Sequence, residues 1–325
     1  MTLGASLGDL DYSDDGLVGG LDSGLVGLDG GAQGGARKRM YKNEHCSPGD
    51  NDVEGSCLDD DIVIRVAKAI NRLSRTNKKL DSVDLSRSPE DIHGDICQQI
   101  GKISKCSSEA CWQKIKSLMK ELGSDKEEFI SSFKPVMPKE WIRDYNEWLS
   151  TFEIEDCLEQ HLDADEQFYF YGAVPIDFKK CSVSDLCSFD MKKHLDKGET
   201  KIGIVFNTDP STKDGQHWIS LYMDLGNHNN NTPGIYYFDS FGRKPPNEIK
   251  ELIKKAQGQG KQCKCGEPYY FYNDHSYQKQ NSQCGMYAIH FIKEMLEGIS
   301  FKDYLNTKLS DKLMIGLRKD YFIKI

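Results

Sequence analysis

Gln278-Lys279-Gln280-Asn281-Ser282-Gln283-Cys284-Gly285-Met286-Tyr287-Ala288-Ile289-His290-Phe291-Ile292-Lys293-Glu294-Met295-Leu296 is the stretch on which the reading of this chain turns. From Gly285 to Leu296 the apolar residues Met286, Ala288, Ile289, Phe291, Ile292, Met295 and Leu296 lie nearly all round a helix, the pattern of a buried one. Cys284 stands immediately before it. The partial positive charge at a helix start favours thiolate over thiol, so a depressed pKa is expected for Cys284.

Working outward, three strands are expected upstream: Lys201 to Asn207, Trp218 to Asp224 and Gly234 to Phe238. Each is bounded by Asp, Asn, Gly or Pro clusters. Tyr269 to Tyr272 reads as a fourth, and Phe168-Tyr169-Phe170-Tyr171 as a strand or a buried aromatic anchor. Helical pieces are expected at Trp141 to Trp148, Ile154 to His161, Pro246 to Gln257 and Ser310 to Lys319, the last with Ser310 as N-cap. The combination is an α+β core.

A thiol becomes a useful nucleophile with an imidazole to take its proton and a third group to orient that imidazole. His217, just before the strand from Trp218, can present its ring to a cleft. Asp239 ends the strand Ile235-Tyr236-Tyr237-Phe238. If that strand and the previous one form a hairpin, Asp239 sits beside His217 and can fix its tautomer. Each residue alone has a plain reading: a buried structural cysteine, a loop histidine and a turn aspartate. Chain order and spacing together favour a site. Acyl transfer also develops charge on a carbonyl oxygen, which a positioned amide can stabilise. Gln278, Gln280 and Gln283 are the candidates.

Taken in order, Phe206-Asn207-Thr208-Asp209, His217-Trp218, Tyr237-Phe238-Asp239-Ser240 and Gln278 through Tyr287 resemble the cysteine proteases of the SUMO-protease and adenovirus-protease type. The nearest likeness is to the polyprotein-processing branch found in African swine fever virus and related large DNA viruses. Trp148 to Ile154 and Ile176-Asp177-Phe178 share in it, so the resemblance covers roughly residues 140 to 325. It implies a papain-like or adenain-like core with a central mixed sheet flanked by helices. It also implies Cys284 as nucleophile, His217 as general base and then acid, Asp239 as the orienting acid, and Gln278, six residues before the cysteine as in the family, as oxyanion donor. The swine fever branch carries Asn where this chain has Asp239, and SUMO proteases commonly have Asp where it has Gln283. The resemblance further implies cleavage of structural polyproteins after Gly-Gly-Xaa-type sites, in a narrow cleft of which Trp218 would be a wall.

With 325 residues the chain has room for a catalytic domain and something smaller. Three parts are expected: a flexible Gly/Asp-rich tail over 1–56, a helical arm domain over 57–135, and the protease core over 136–325. Helical spacing runs from Asp60 to Lys79 and from Trp112 to Gly123, and Phe133 to Pro138 reads as the linker because of its two prolines. The tail holds Gly19-Gly20-Leu21, Gly30-Gly31-Ala32 and Gly34-Gly35-Ala36, which resemble the enzyme's own cleavage sites but read more simply as ordinary linker glycines.

The net charge of −9 argues against nucleic acid as a partner of the whole molecule. It leaves one local basic face, Arg65, Lys68, Arg72, Arg75, Lys78 and Lys79, as a surface for nucleic acid or a virion core. No apolar run approaches the roughly 20 residues of a membrane span, and no secretory signal is evident. The 11 cysteines are scattered without a framework and are expected to be mostly reduced thiols. Cys263-Lys264-Cys265 near His275 lacks the second half of a zinc site, so neither metal nor cofactor is expected. The resemblance places the protein in host cytoplasm and virion, acting on a Gly-Gly-containing polyprotein. A deconjugase of ubiquitin-like proteins, an acetyltransferase using the same residues, and a non-catalytic binding module are the competing readings.

Overall fold

A computed structural model describes residues 45–48, 55–226, 233–263 and 266–325. The glycine-rich tail and its Gly-Gly-Xaa triplets lie outside them. The centre is a five-stranded sheet in the order β1-β2-β3-β4-β5, built from Phe168–Pro175, Lys201–Asn207, Trp218–Asp224, Gly234–Phe238 and Tyr269–Tyr272. The middle pairs β2·β3 and β3·β4 are antiparallel and the outer pairs β1·β2 and β4·β5 parallel, so the sheet is mixed. Parallel neighbours need a crossover. α6 (Met191–Lys197) lies in the first, and α7 (Asn247–Gln262) in the second.

Every residue of β3 is buried. Alternation divides it between two cores, as a strand covered on both faces requires. Trp218 and Tyr222 join Tyr236 and Phe238 against α8 (Cys284–Leu296), while Ile219, Leu221 and Met223 join Ile235 and Tyr237 in the opposite core, which α7 completes with Ile249, Leu252 and Ile253. α5 (Thr151–Ala164), α9 (Phe301–Asn306) and α10 (Asp311–Tyr321) enclose α8 from outside. The molecule is thus α+β, with a nearly all-apolar helix on a central strand.

A separate core draws on residues from Cys46 to Phe133, together with the C-terminal Ile323. α1 (Asp60–Ser74) starts at Asp59, whose side chain accepts from the Ile62 N–H at 2.7 Å. It ends short of the expected Lys79. α2 (Pro89–Ile103) lies between the two expected helices: Ser88 caps it and Pro89 opens it, a position that needs no N–H. The expected helix from Trp112 is two pieces, a 3₁₀ turn over Ala110–Lys114 and α3 (Lys116–Leu122), because Ile115 leaves helical geometry at ψ 89°. α4 (Lys126–Ser131) follows. The proline segment is packed in place: Val136 bridges Ile323, the Met137 N–H donates to Ile323 O at 2.8 Å and the Ile323 N–H to Pro135 O at 2.9 Å.

One further expectation needs correction. Six described cysteines pair as Cys46–Cys57, Cys106–Cys111 and Cys181–Cys187, 11, 5 and 6 residues apart, leaving Cys97, Cys157 and Cys284 free. Local turns make these pairings, which is why no long-range framework shows in the spacing. Cys263 is also disulfide-bonded, which removes it from any zinc set. On α1 the basic face is partly neutralised: Arg65 pairs with Glu128 and, at 3.8 Å, with Asp125, and Arg72 pairs with Glu121 at 3.3 Å. Among the described residues no helix is long and apolar enough to cross a membrane.

Candidate active site

Three elements bring His217, Asp239 and Cys284 together. His217 precedes β3 on a loop shaped by Asn207, whose side-chain oxygen accepts from the N–H groups of Asp209 at 3.0 Å and Gln216 at 3.2 Å. The antiparallel register that sets Ser220 opposite Phe238 places Asp239, one residue beyond, alongside the start of β3. Its carboxylate accepts from His217 Nε2 at 2.7 Å. Cys284 is the first residue of α8, free and 2 % exposed.

Asp239 is itself held. Its Oδ1 also accepts from the Phe241 N–H at 2.9 Å, and Asn273 clamps its backbone by accepting from its N–H at 2.9 Å and donating to its carbonyl at 2.7 Å. With Nε2–H committed to Asp239, the other ring nitrogen is left for the thiol, and Cys284 is close enough to act on the imidazole's charge. Burial pushes the His217 pKa down. The hydrogen bonds and charges of Asp239 and Cys284 outweigh it and raise the value to about 9. An imidazole raised in this way is held in its charged form at neutral pH.

The three glutamines separate in space. Gln280 is exposed. Gln283 is fully buried but tied, its amide N–H donating to Tyr145 O at 3.1 Å and its oxygen accepting from Arg318 Nε at 3.1 Å. Gln278 is buried beside the triad. Its Oε1 accepts from the Ser240 hydroxyl at 2.6 Å, which points its NH₂ towards the loop before Cys284, where it donates to the Gln280 carbonyl. Of the three, Gln278 is the one tied through Ser240 to the residue next to Asp239.

Trp218 is buried, and its indole N–H donates to Leu149 O at 2.9 Å. Gly285 lies against both: a β-carbon there would meet Leu149 Cβ at 2.9 Å and Trp218 Cδ1 at 3.3 Å. The neighbouring Trp148 is 49 % exposed, so an aromatic face remains open next to the packed one. Sequence reasoning missed Asn273, which after an aromatic strand reads as an ordinary turn residue. It also missed Asp311, whose carboxylate accepts from the Lys279 and Gln280 N–H groups at 2.9 and 3.0 Å and so fixes the loop carrying Gln278. Its only sequence signal is its place in the first turn of a helix. Among the described residues no group of three or more His, Cys, Asp or Glu could hold a metal ion.

Residues 201–325 match the Ulp1 protease family, C-terminal catalytic domain. A thiol protease of Acanthamoeba polyphaga mimivirus is 30 % identical over 290 residues, covering 85 % of this chain and 92 % of that protein. A cysteine protease of African swine fever virus is 24 % identical over 233 residues, covering 67 % of this chain and 83 % of that one. A crystal structure of the African swine fever virus protease superposes with a TM-score of 0.60 at 20 % identity, covering 88 % of this chain and 98 % of that chain.

Proposed function

The chain belongs to the Ulp1 family of cysteine proteases, and from that premise we propose that it is a viral endopeptidase processing structural polyproteins at Gly-Gly-Xaa-type sites. The observation that carries the chemistry is the buried His217–Asp239 pair at 2.7 Å, set beside a free thiol at the head of α8. In this reading Cys284 gives its proton to His217 and its sulfur attacks the scissile carbonyl carbon. The oxyanion is met by the Gln278 amide and by the Cys284 N–H, one of the helix's unpaired first-turn donors. The C–N bond then breaks as His217 protonates the leaving amine, giving a thioester. Water, deprotonated by His217, attacks the thioester, and the thiolate leaves.

The glycine preference rests on the family resemblance; in this chain Gly285 packs the start of α8 tightly against Leu149 and Trp218. The open face of Trp148 adds a second aromatic surface. The site lies in the residues from 136 onward, and the arm core, joined to it through residues 135–137 and 323, would position substrate or attach the enzyme to a virion core. Host cytoplasm and virion are the corresponding locations. With Arg65 and Arg72 engaged by carboxylates, Lys68, Arg75, Lys78 and Lys79 are the basic residues left for nucleic acid.

Offering a Gly-Gly-Ala peptide and a fusion to a SUMO-type protein separately to wild type and Cys284→Ala tests the proposal. It expects cleavage of the peptide, abolished by the substitution. Cleavage of the fusion alone would make the enzyme a deconjugase, and transfer of acetyl from acetyl-CoA without hydrolysis would make it an acetyltransferase.

A further inference from the structure

α10 carries one arginine, Arg318, which is 0 % exposed. Its guanidinium lies over the Trp141 ring, 4.3 Å from the centroid. Nε donates to Gln283 Oε1 at 3.1 Å, and one terminal nitrogen donates to Glu147 O at 2.7 Å and Ser282 O at 3.4 Å. The other terminal nitrogen is buried without a hydrogen-bond partner. Every acceptor is a neutral amide or carbonyl oxygen, so the cation has been taken out of water with no carboxylate bonded to it. A buried charge left in that state is costly unless an anion compensates it.

The anion at hand is the one the proposed chemistry creates. Two of the three oxygens that Arg318 grips belong to Ser282 and Gln283, the residues directly before Cys284, and Gln283 is the cap of the helix that Cys284 begins. Resting on the reading of Cys284 as nucleophile, we propose that Arg318 is a positioning residue: it locks the Ser282–Gln283 turn and supplies a fixed positive charge against which the Cys284 thiolate forms. Burial lowers the guanidinium's pKa to about 10, with the Cys284 charge acting in the opposite direction. The other charges acting on it are Asp144 and Glu147 from the segment after Trp141 and Glu153 of α5; its neighbour Lys319 on α10 lies over the Tyr145 ring, 5.2 Å from the centroid. His217, bonded to Asp239, also acts on the nucleophile. Glu147 reaches Arg318 through its backbone carbonyl.

The rate of Cys284 alkylation by iodoacetamide, followed against pH on the full chain with the labelled peptide identified by mass spectrometry, reads thiolate formation directly. Arg318→Met is expected to move the acid midpoint up by about one pH unit or more. Arg318→Lys, which keeps charge but not the fork of bonds, is expected to move it less while lowering kcat for a Gly-Gly-Ala peptide with KM little changed. Should Arg318→Met fail to fold by thermal melting, Gln283→Glu places a carboxylate of the same size on the guanidinium, and the same upward movement is expected. Midpoints unmoved in folded variants, with wild-type Cys284 still reactive, would overturn the role of Arg318 alone. An unreactive wild-type Cys284 would overturn the protease reading beneath it.

Discussion

Replacing Asp239 with Asn separates the charge of the orienting group from its shape. An Asn oxygen can still accept from His217 Nε2 and from the Phe241 N–H, and Asn273 would still hold the backbone, so geometry should survive. The imidazolium loses its carboxylate. The rise of His217 from 6.5 to about 9 corresponds to roughly 3 kcal/mol favouring the charged form. Asp239 and Cys284 raise the value against the burial penalty, which persists when the Asp239 charge is removed, so it should fall by about one pH unit or more. Because the folded-state pKa is raised, the stabilisation is complete below the ordinary histidine value and is lost as pH climbs through about 9. Wild type should therefore hold its imidazolium across neutral pH, and Asp239→Asn should begin to lose it about a unit earlier. The assay is kcat/KM for a fluorogenic Gly-Gly-Ala peptide against pH, with thermal midpoints in the same buffers. An alkaline limb that does not move would refute the assignment of Asp239 as the charge partner of His217.

Three other outcomes are expected. Gln278→Ala should lower kcat by about 10²–10³ with little effect on KM, as loss of an oxyanion donor does, whereas Gln280→Ala, exposed, should leave kcat/KM near wild type. Asp311→Ala strands the Lys279 and Gln280 N–H groups and should cost about 1–3 kcal/mol in urea unfolding, with a fall in kcat through the loosened Gln278 loop. Gly285→Ala forces Leu149 away from the helix, so an overpacking cost of about 1–3 kcal/mol opposes a helix-propensity gain of about 1 kcal/mol; the melting point should fall modestly while kcat/KM drops much more.

Much of this site was legible because its residues sit at the ends of strongly patterned elements. β2, β3 and β4 are continuous apolar runs with turn-forming residues at both ends, and α8 is apolar nearly all round, so the positions of His217, Asp239 and Cys284 at their boundaries follow from local signals. α2 is harder to see because it opens on Pro89 and holds Gly94, although proline is at home in a first helical turn. The packed state of Pro135 to Pro138 could not be seen locally, since its partner, Ile323, is nearly two hundred residues away in the chain. Arg318 and Asp311 were invisible for a related reason. A charged residue on an amphipathic helix reads as solvated surface, and only the fold turns that part of α10 towards the loop before the nucleophile. The disulfides show the opposite limit: each joins near neighbours in sequence, but nothing in irregular spacing says which thiols meet.

The central claim is that Cys284 is the nucleophile of a protease that reads glycine-rich sequences. A Gly-Gly peptide ending in a vinyl sulfone, incubated with the folded full-length chain and followed by peptide mapping, tests it most directly. The account predicts a single adduct on Cys284, lost in His217→Ala. Absence of any adduct, or an adduct on Cys97 or Cys157 with Cys284 untouched, would contradict it.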